Sequence, residues 1–348
     1  LNYLLKCGLA LVLFTGLAAC SAQEEKPKTS AEDVRLTAED QVYVGFVLDT
    51  LKDERWYKDK ELFEEAAESK GAHVKTLAAN GNDDVQLKQA ELLIEEGVDV
   101  LVVVPHDAAF SAAIVDMAHK AGVKVISYDR LITNSEVDYY ISFDNVKVGE
   151  LQASEVVKQA SNGNFAYIGG AESDNNAVLF RQGAMNVLKP LIDKGSVKLI
   201  HDQYTDGWDP ITAEQNMKTA LAKNGNNVDA VIAANDGTAG GVINSLSSVG
   251  LAGRIPVSGQ DAELEGVRRV VKGTQTMTVY KPITLLAEQA ADMAVKVGSG
   301  EDVAADQSVH NGKIDVPSLL LEPVAVTKEN VRDTVIKDGY LTEKDVYQ

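Results

Sequence analysis

The chain has 348 residues, with 52 acidic against 33 Lys and Arg and a formal net charge of −19; that balance excludes nucleic acid as a partner, because phosphate backbones need clustered Lys and Arg. A content of 45% hydrophobic and 24% charged residues is that of a globular protein, and at about 150 residues per domain the length predicts two domains. The two cysteines, Cys7 and Cys20, precede the body, so the body has no disulfide, no Cys-based zinc site and no catalytic thiol.

Residues 1–19 read as a signal segment. Lys6 precedes an apolar run from Leu9 to Leu17, which is too short to cross a bilayer core of about 30 Å. It ends in Leu17-Ala18-Ala19-Cys20. That ending resembles a bacterial lipobox, which implies cleavage before Cys20 and a lipid anchor on its thiol. Residues 20–40 are polar and charged and read as a flexible tether. No other run of about 18 apolar residues follows.

From Val42 onward, short apolar runs alternate with amphipathic ones. Strands are predicted at 42–48, 73–77, 99–104 and 124–128. A helix is predicted over 110–121, with Phe110, Ala113, Ile114, Met117, Ala118 and Ala121 on one face. After a break near 129–145, strands follow at 164–169, 197–201, 229–233, 255–259 and 275–280. Helices are predicted near 176–188, 210–223, 236–248, 262–271 and 286–297. Continuous Val, Ile and Leu strands imply sheets covered on both faces, and strand–helix alternation implies parallel order. The expected fold class is α/β, with two doubly wound parallel-sheet lobes and a ligand cleft between them. Ligands in such sheets bind outside the carboxyl ends of the strands.

Nearly every loop after a predicted strand carries Asp, Asn, Arg, Lys or Trp. These loops contain Lys52-Asp53-Glu54-Arg55-Trp56, His106-Asp107, Asp129-Arg130, Asp174-Asn175-Asn176, Asp206-Gly207-Trp208, Asn235-Asp236, Gln260-Asp261 and Lys281. Turns favour Asp and Asn for local reasons. Trp and Arg have no such preference, so their recurrence points to a binding site. Trp56 and Trp208 offer flat apolar walls for the C–H faces of a sugar ring. Asp129, Asp261 and Asn235 accept from hydroxyl protons, while Arg55, Arg130, Arg181 and Lys281 donate to hydroxyl oxygens. Mixed Asp and Arg neighbours suit a neutral polyol better than a phosphate.

At these residues the chain resembles the periplasmic sugar-binding proteins of ABC transporters, of the pentose and hexose type with the ribose-binding fold. The resemblance runs over about residues 41–340. It is carried by ERWYKD (54–59), AANGND (78–83), GVDVLVVVP (97–105), YDRLI (128–132), YYISFDNVKVGELQA (139–153), AANDGTAGG (233–241), SGQDAEL (258–264) and GTQTMTVYKPITLLA (273–287). It implies three crossover segments, near 143–146, 279–282 and 309–316. One lobe would then comprise 41–143 plus 282–310, and the other 144–281 plus 311–348. The implied ligand contacts are Arg55, Trp56, Asp129, Arg130, Arg181, Trp208, Asn235, Asp261 and Lys281, with Lys58, Asn145 and Asn176 as weaker candidates and Asn175 beside them. Asp236 is expected to turn toward helix capping, and His106 stands where a non-ionisable residue is expected.

The implied function is extracytoplasmic capture of a monosaccharide by lobe closure, with D-xylose ahead of glucose, arabinose and ribose. The implied partner is a membrane permease of the ABC type; presentation of the sugar to a chemoreceptor or sensor kinase is the alternative. No cofactor, metal or catalytic step is expected. The loop from Asp202 to Ala213 fails as a calcium loop, because Tyr204 and Ala213 occupy ligand positions. The histidines show no ligand spacing, and no phosphate loop or nucleophile elbow is present. Asp129 and Asp261 resemble a glycosidase pair, but each has a basic neighbour to pair with. Sugar-responsive repressors of related fold carry a helix-turn-helix in place of the signal segment, whereas this chain has a lipobox-like ending and a strong negative charge, which argue against that class.

Overall fold

The computed structural model describes residues 35, 37, 38, 40–305 and 307–348. The predicted signal segment, Cys20 and most of the tether lie outside the described residues. The chain opens with β1 (Tyr43–Leu48), α1 (Glu54–Glu68), β2 (His73–Ala78), α2 (Asp83–Glu95), β3 (Val100–Val103), α3 (Ala112–Lys120), β4 (Lys124–Tyr128) and β5 (Tyr139–Phe143). β1, β3 and β5 are buried along their whole length, which is why they read as unbroken apolar runs rather than alternating ones. The second half of the chain begins with α4 (Asn145–Gln159), β6 (Gly163–Ile168), α5 (Asn175–Asp193), β7 (Val197–Gln203), α6 (Pro210–Lys223), β8 (Ala230–Ala233), α7 (Asp236–Ser248), α8 (Leu264–Lys272) and β9 (Met277–Tyr280). It closes with α9 (Ile283–Gly298), β10 (Gln307–His310), β11 (Asp315–Leu321), β12 (Val324–Thr327) and α10 (Glu343–Tyr347).

The first sheet runs β10-β11-β5-β4-β3-β1-β2, parallel except for β10. The second runs β7-β6-β8, all parallel. Helices cover the faces, so the fold is the expected α/β, doubly wound type. α9 turns a row from Leu286 through Ala290 and Met293 to Val297 into the first core. α4 and α5 approach so closely that a Cβ on Gly149 would overlap the carbonyl oxygen of Phe180; only glycine allows that contact. Among the described residues, no helix is long and apolar enough to cross a membrane.

Four expectations need correction. The predicted helix over 110–121 begins only at Ala112, and Phe110 lies in the preceding turn with its ring exposed. The buried face is therefore Ile114, Val115 and Ala118, while Ala113 and Ala121 are exposed. The run 255–259 makes one isolated bridge, Val257 to Val231, because Pro256 has no N–H for a ladder. The break at 129–145 contains β5. Finally, 311–321 does not join the second lobe, since β11 pairs in parallel with β5, Ser318 opposite Tyr140 and Leu321 opposite Phe143. The chain leaves the first sheet after Leu321, and β12 then pairs with β9.

Candidate functional site

In the first sheet the strand order reverses between β1 and β3, and in the second between β6 and β8. Crevices open at the carboxyl ends of those strands, and the two crevices face each other. Helix α1 brings three polar or aromatic residues to the first crevice. Arg55, Trp56 and Asp59 are all buried near its N-terminus, on the face that continues through Phe63 and Ala67 into the core. Asp129 follows β4 in a left-handed turn with φ of 58°, a conformation that Asp tolerates better than most residues. The turn is held by Tyr140 Oη and Ser142 Oγ, which both donate to the Asp129 carbonyl.

The charges then interlock across the cleft. Arg55 bonds Asp59 (3.0 Å), Asp129 (3.0 Å) and, from the opposite lobe, Asp261 (3.3 Å). Lys281, at a crossover, lies 3.2 Å from Asp129 and 3.9 Å from Asp261. Asn176 Nδ2 donates to Asp129 Oδ1 at 3.0 Å. Arg130 reaches Asp49 at 2.7 Å and, across the cleft, Asp174 at 2.8 Å. Burial alone would raise the Asp129 carboxyl, but Arg55, Lys281 and Arg130 together hold it far below the usual carboxylate range. Burial wins at Asp174, whose pKa is raised despite Arg130.

The walls are aromatic. The guanidinium carbons of Arg55 and Arg130 lie 4.4 and 5.2 Å from the Trp56 ring centroid, a cation–π arrangement that orients both forks. Trp208 stands edge-on to Phe180 at 6.3 Å. A Cβ on Gly170 would overlap the Trp208 ring, so the glycine makes room for it. Asn235 caps α7, its Oδ1 accepting from Thr238 N in a capping box. The cap is thus Asn235 and not Asp236. Asp236 instead accepts from Gln275 Nε2, Thr278 Oγ1 and Glu263 N, while its own N–H donates to the Gln260 carbonyl. It ties down the loop where Asp261 and Ala262 sit at positive φ, 91° and 50°.

Arg55, Trp56, Asp129, Arg130, Asn176, Trp208, Asn235, Asp261 and Lys281 line one pocket of about 340 Å³, counted out to its mouth. Three predicted residues do not. Lys58 pairs with Glu54 and lies over the Tyr340 ring, because position 58 is off the helix face shared by Arg55 and Asp59. Asn145 sits behind the pocket, its Nδ2 donating to Asn176 Oδ1 at 2.9 Å. Arg181 faces the outer surface and pairs with Asp202; one residue earlier on α5, Phe180 takes the inward position. Asp53, Asp174, Phe180 and Gln260 also line the pocket, and the sequence reading did not select them. Phe180 had a usable signal, because it lies one helical turn after Asn176.

His106 is outside this pocket. Its Nδ1 lies 2.8 Å from Asp49, the carboxylate that also holds Arg130. That hydrogen bond favours the protonated ring and raises the pKa of His106 above its ordinary value. The side chain lines an adjoining cavity of about 680 Å³ that shares Asp53, Arg130, Asp174 and Trp208 with the pocket.

A neutral polyhydroxyl ligand suits this lining. The carboxylates of Asp53, Asp129, Asp174 and Asp261 would repel a phosphate, whereas hydroxyls can both donate to them and accept from Arg and Lys. Comparison with known proteins agrees. Residues 44–302 match the model of the periplasmic binding protein domain. The chain is 50% identical to the D-xylose-binding periplasmic protein of Escherichia coli, over 88% of this chain and 93% of that protein. It is 49% identical to the Haemophilus influenzae protein of the same name, over 87% and 92%. A carbohydrate transporter solute-binding protein from Chloroflexus aurantiacus, solved with D-glucose, superposes with a TM-score of 0.81 and 35% identity, over 88% of this chain and 98% of that one. The chain therefore belongs to the periplasmic binding protein family and is a binding protein, not an enzyme.

Proposed function

We propose that this protein captures D-xylose outside the cytoplasm by closing its lobes on the sugar, then delivers it to an ABC permease. The observation that carries the reading is the Arg55–Asp129–Lys281–Asp261 cluster between two tryptophan walls. It draws residues from both lobes, so a ligand seated there touches both only in the closed form. That differential affinity shifts an open–closed equilibrium toward closure. The crossovers after Phe143, Tyr280 and Leu321 are the hinges in this reading. D-xylose is preferred because the two relatives near 50% identity carry its name.

Titration calorimetry on residues 21–348 with D-xylose, D-glucose, D-ribose and L-arabinose, followed by mass spectrometry of the sugars, tests this. Tight binding of xylose without turnover is expected. Binding of another sugar with no response to xylose would overturn the ligand assignment. In the same assay Arg181→Ala should change affinity by less than about threefold, because an exposed ion pair contributes little; a tenfold loss would show that Arg181 reaches the sugar.

The Leu17-Ala18-Ala19-Cys20 ending supports a lipid anchor at Cys20. Expressed with its full N-terminus in a bacterial host, the protein should sediment with membranes and carry diacylglycerol on Cys20 by mass spectrometry. Cys20→Ser should release it. Equal solubility of both forms would refute the anchor.

A further inference from the structure

Two residues of the pocket lining each carry a buried polar atom with no hydrogen-bond partner, Gln260 Oε1 and Trp208 Nε1. The charged groups around them are already engaged with one another, so these two atoms have the most to gain from a ligand. The orientation of the Gln260 amide is chemically determined. Its Nε2 donates to Asp261 Oδ2 at 3.0 Å. A carboxylate only accepts, so a flipped amide would set oxygen against oxygen. The carbonyl oxygen must therefore be the free end. The residue is 3% exposed, and its backbone carbonyl accepts from the Asp236 N–H at 2.9 Å, which holds the loop in place. The indole N–H of Trp208 is a donor only. A buried acceptor and a buried donor left unmade in one pocket are costly, and the group that satisfies either is a hydroxyl.

We infer that Gln260 is a hydroxyl-recognising residue of this site: a ligand hydroxyl donates to Gln260 Oε1, and a ligand oxygen accepts from Trp208 Nε1. This rests on the sugar reading above and adds a specificity element from the second lobe. A sugar lacking the hydroxyl that meets Gln260 leaves the amide oxygen unpaired and is rejected for that reason.

The test is calorimetry of D-xylose and its monodeoxy analogues against the wild-type protein and Gln260→Met, which keeps the side-chain length and removes the acceptor. The wild type should bind one deoxy sugar about tenfold more weakly than xylose, a typical loss for one hydrogen bond. Gln260→Met should lose about the same factor for xylose and show no further loss for that deoxy sugar. Its ligand-free melting temperature should fall somewhat, because the Nε2 bond to Asp261 goes with the acceptor, so the comparison between sugars, not the melting temperature, carries the test. Trp208→Phe, which keeps a flat wall and removes only the N–H, should lose about tenfold in the same way. The inference is overturned if Gln260→Met binds xylose within about threefold of wild type. It is also overturned if that variant loses the same factor for xylose and for every deoxy analogue, for then Gln260 only supports Asp261. Absence of sugar binding by the wild type would instead remove the sugar reading itself, and this inference with it.

Discussion

Arg55→Met should abolish sugar binding and destabilise the protein by about 3–5 kcal/mol, the usual cost of removing one partner from a buried charge cluster. Arg55 is the cation shared by Asp59, Asp129 and Asp261, with side-chain exposures of 0, 2 and 8%. Methionine fills the space but leaves those carboxylates facing one another, with Lys281 near two of them and Arg130 still acting on Asp129. A fold of ordinary stability, about 5–15 kcal/mol, would lose a large share of it. Arg55→Lys should recover little, because a single ammonium does not reproduce a fork that reaches three carboxylates. Urea unfolding with and without xylose gives both quantities; a loss below about 1 kcal/mol would mean that the cluster reorganises around Lys281.

Asp129 of this cluster contributes to the acid limb of stability. Asp129 has a folded pKa below its unfolded value of about 3.9, so its contribution is present above that pH and is lost as pH falls toward the folded value. Without Arg55 the depression is relieved in part, and the acid unfolding of the variant should begin at higher pH.

Trp208→Ala should weaken xylose binding by about 2–3 kcal/mol, roughly 30- to 150-fold, and leave the fold in place. Trp208 is a wall of the pocket, packed edge-on to Phe180 and against Gly170. It contributes to no large core, and its backbone already sits at φ of 56°. Alanine inherits that strained conformation without adding to it. The readouts are calorimetry for affinity and circular dichroism for folding. If the variant unfolds, Trp208 is a core residue; if affinity stays within about threefold, the ring does not face the sugar.

Trp56 and Trp208 were legible because each comes soon after a strand, Trp56 in the first turn of α1 and Trp208 in the turn after β7, where tryptophan has no local reason to be. Arg55, Asp129, Arg130, Asp261 and Lys281 were legible on the same ground, since buried opposite charges must meet. Arg181 was misplaced by a single residue. On a helix one position is about 100° of rotation, and the close approach of α4 and α5 at Gly149 decides that Phe180, not Arg181, faces inward. Gln260 beside Asp261 was passed over because nothing local says which of two adjacent polar groups ends without a partner.

Periodicity and composition by themselves determined the α/β class, most of the strands, the two lobes and a polar cleft walled by tryptophan. These follow from short-range patterns, in which burial on both faces demands continuous apolar strands and helical spacing demands a buried stripe. Only the tertiary structure decided that β11 closes on β5 and keeps 315–321 in the first sheet. It alone set the partners of each charge and placed Asn145 behind the pocket and Arg181 outside it. Strand partners and ion-pair partners lie far apart in sequence, from Tyr140 to Ser318 and from Arg55 to Asp261. Their choice is made by the packing of whole elements, which no local spacing encodes.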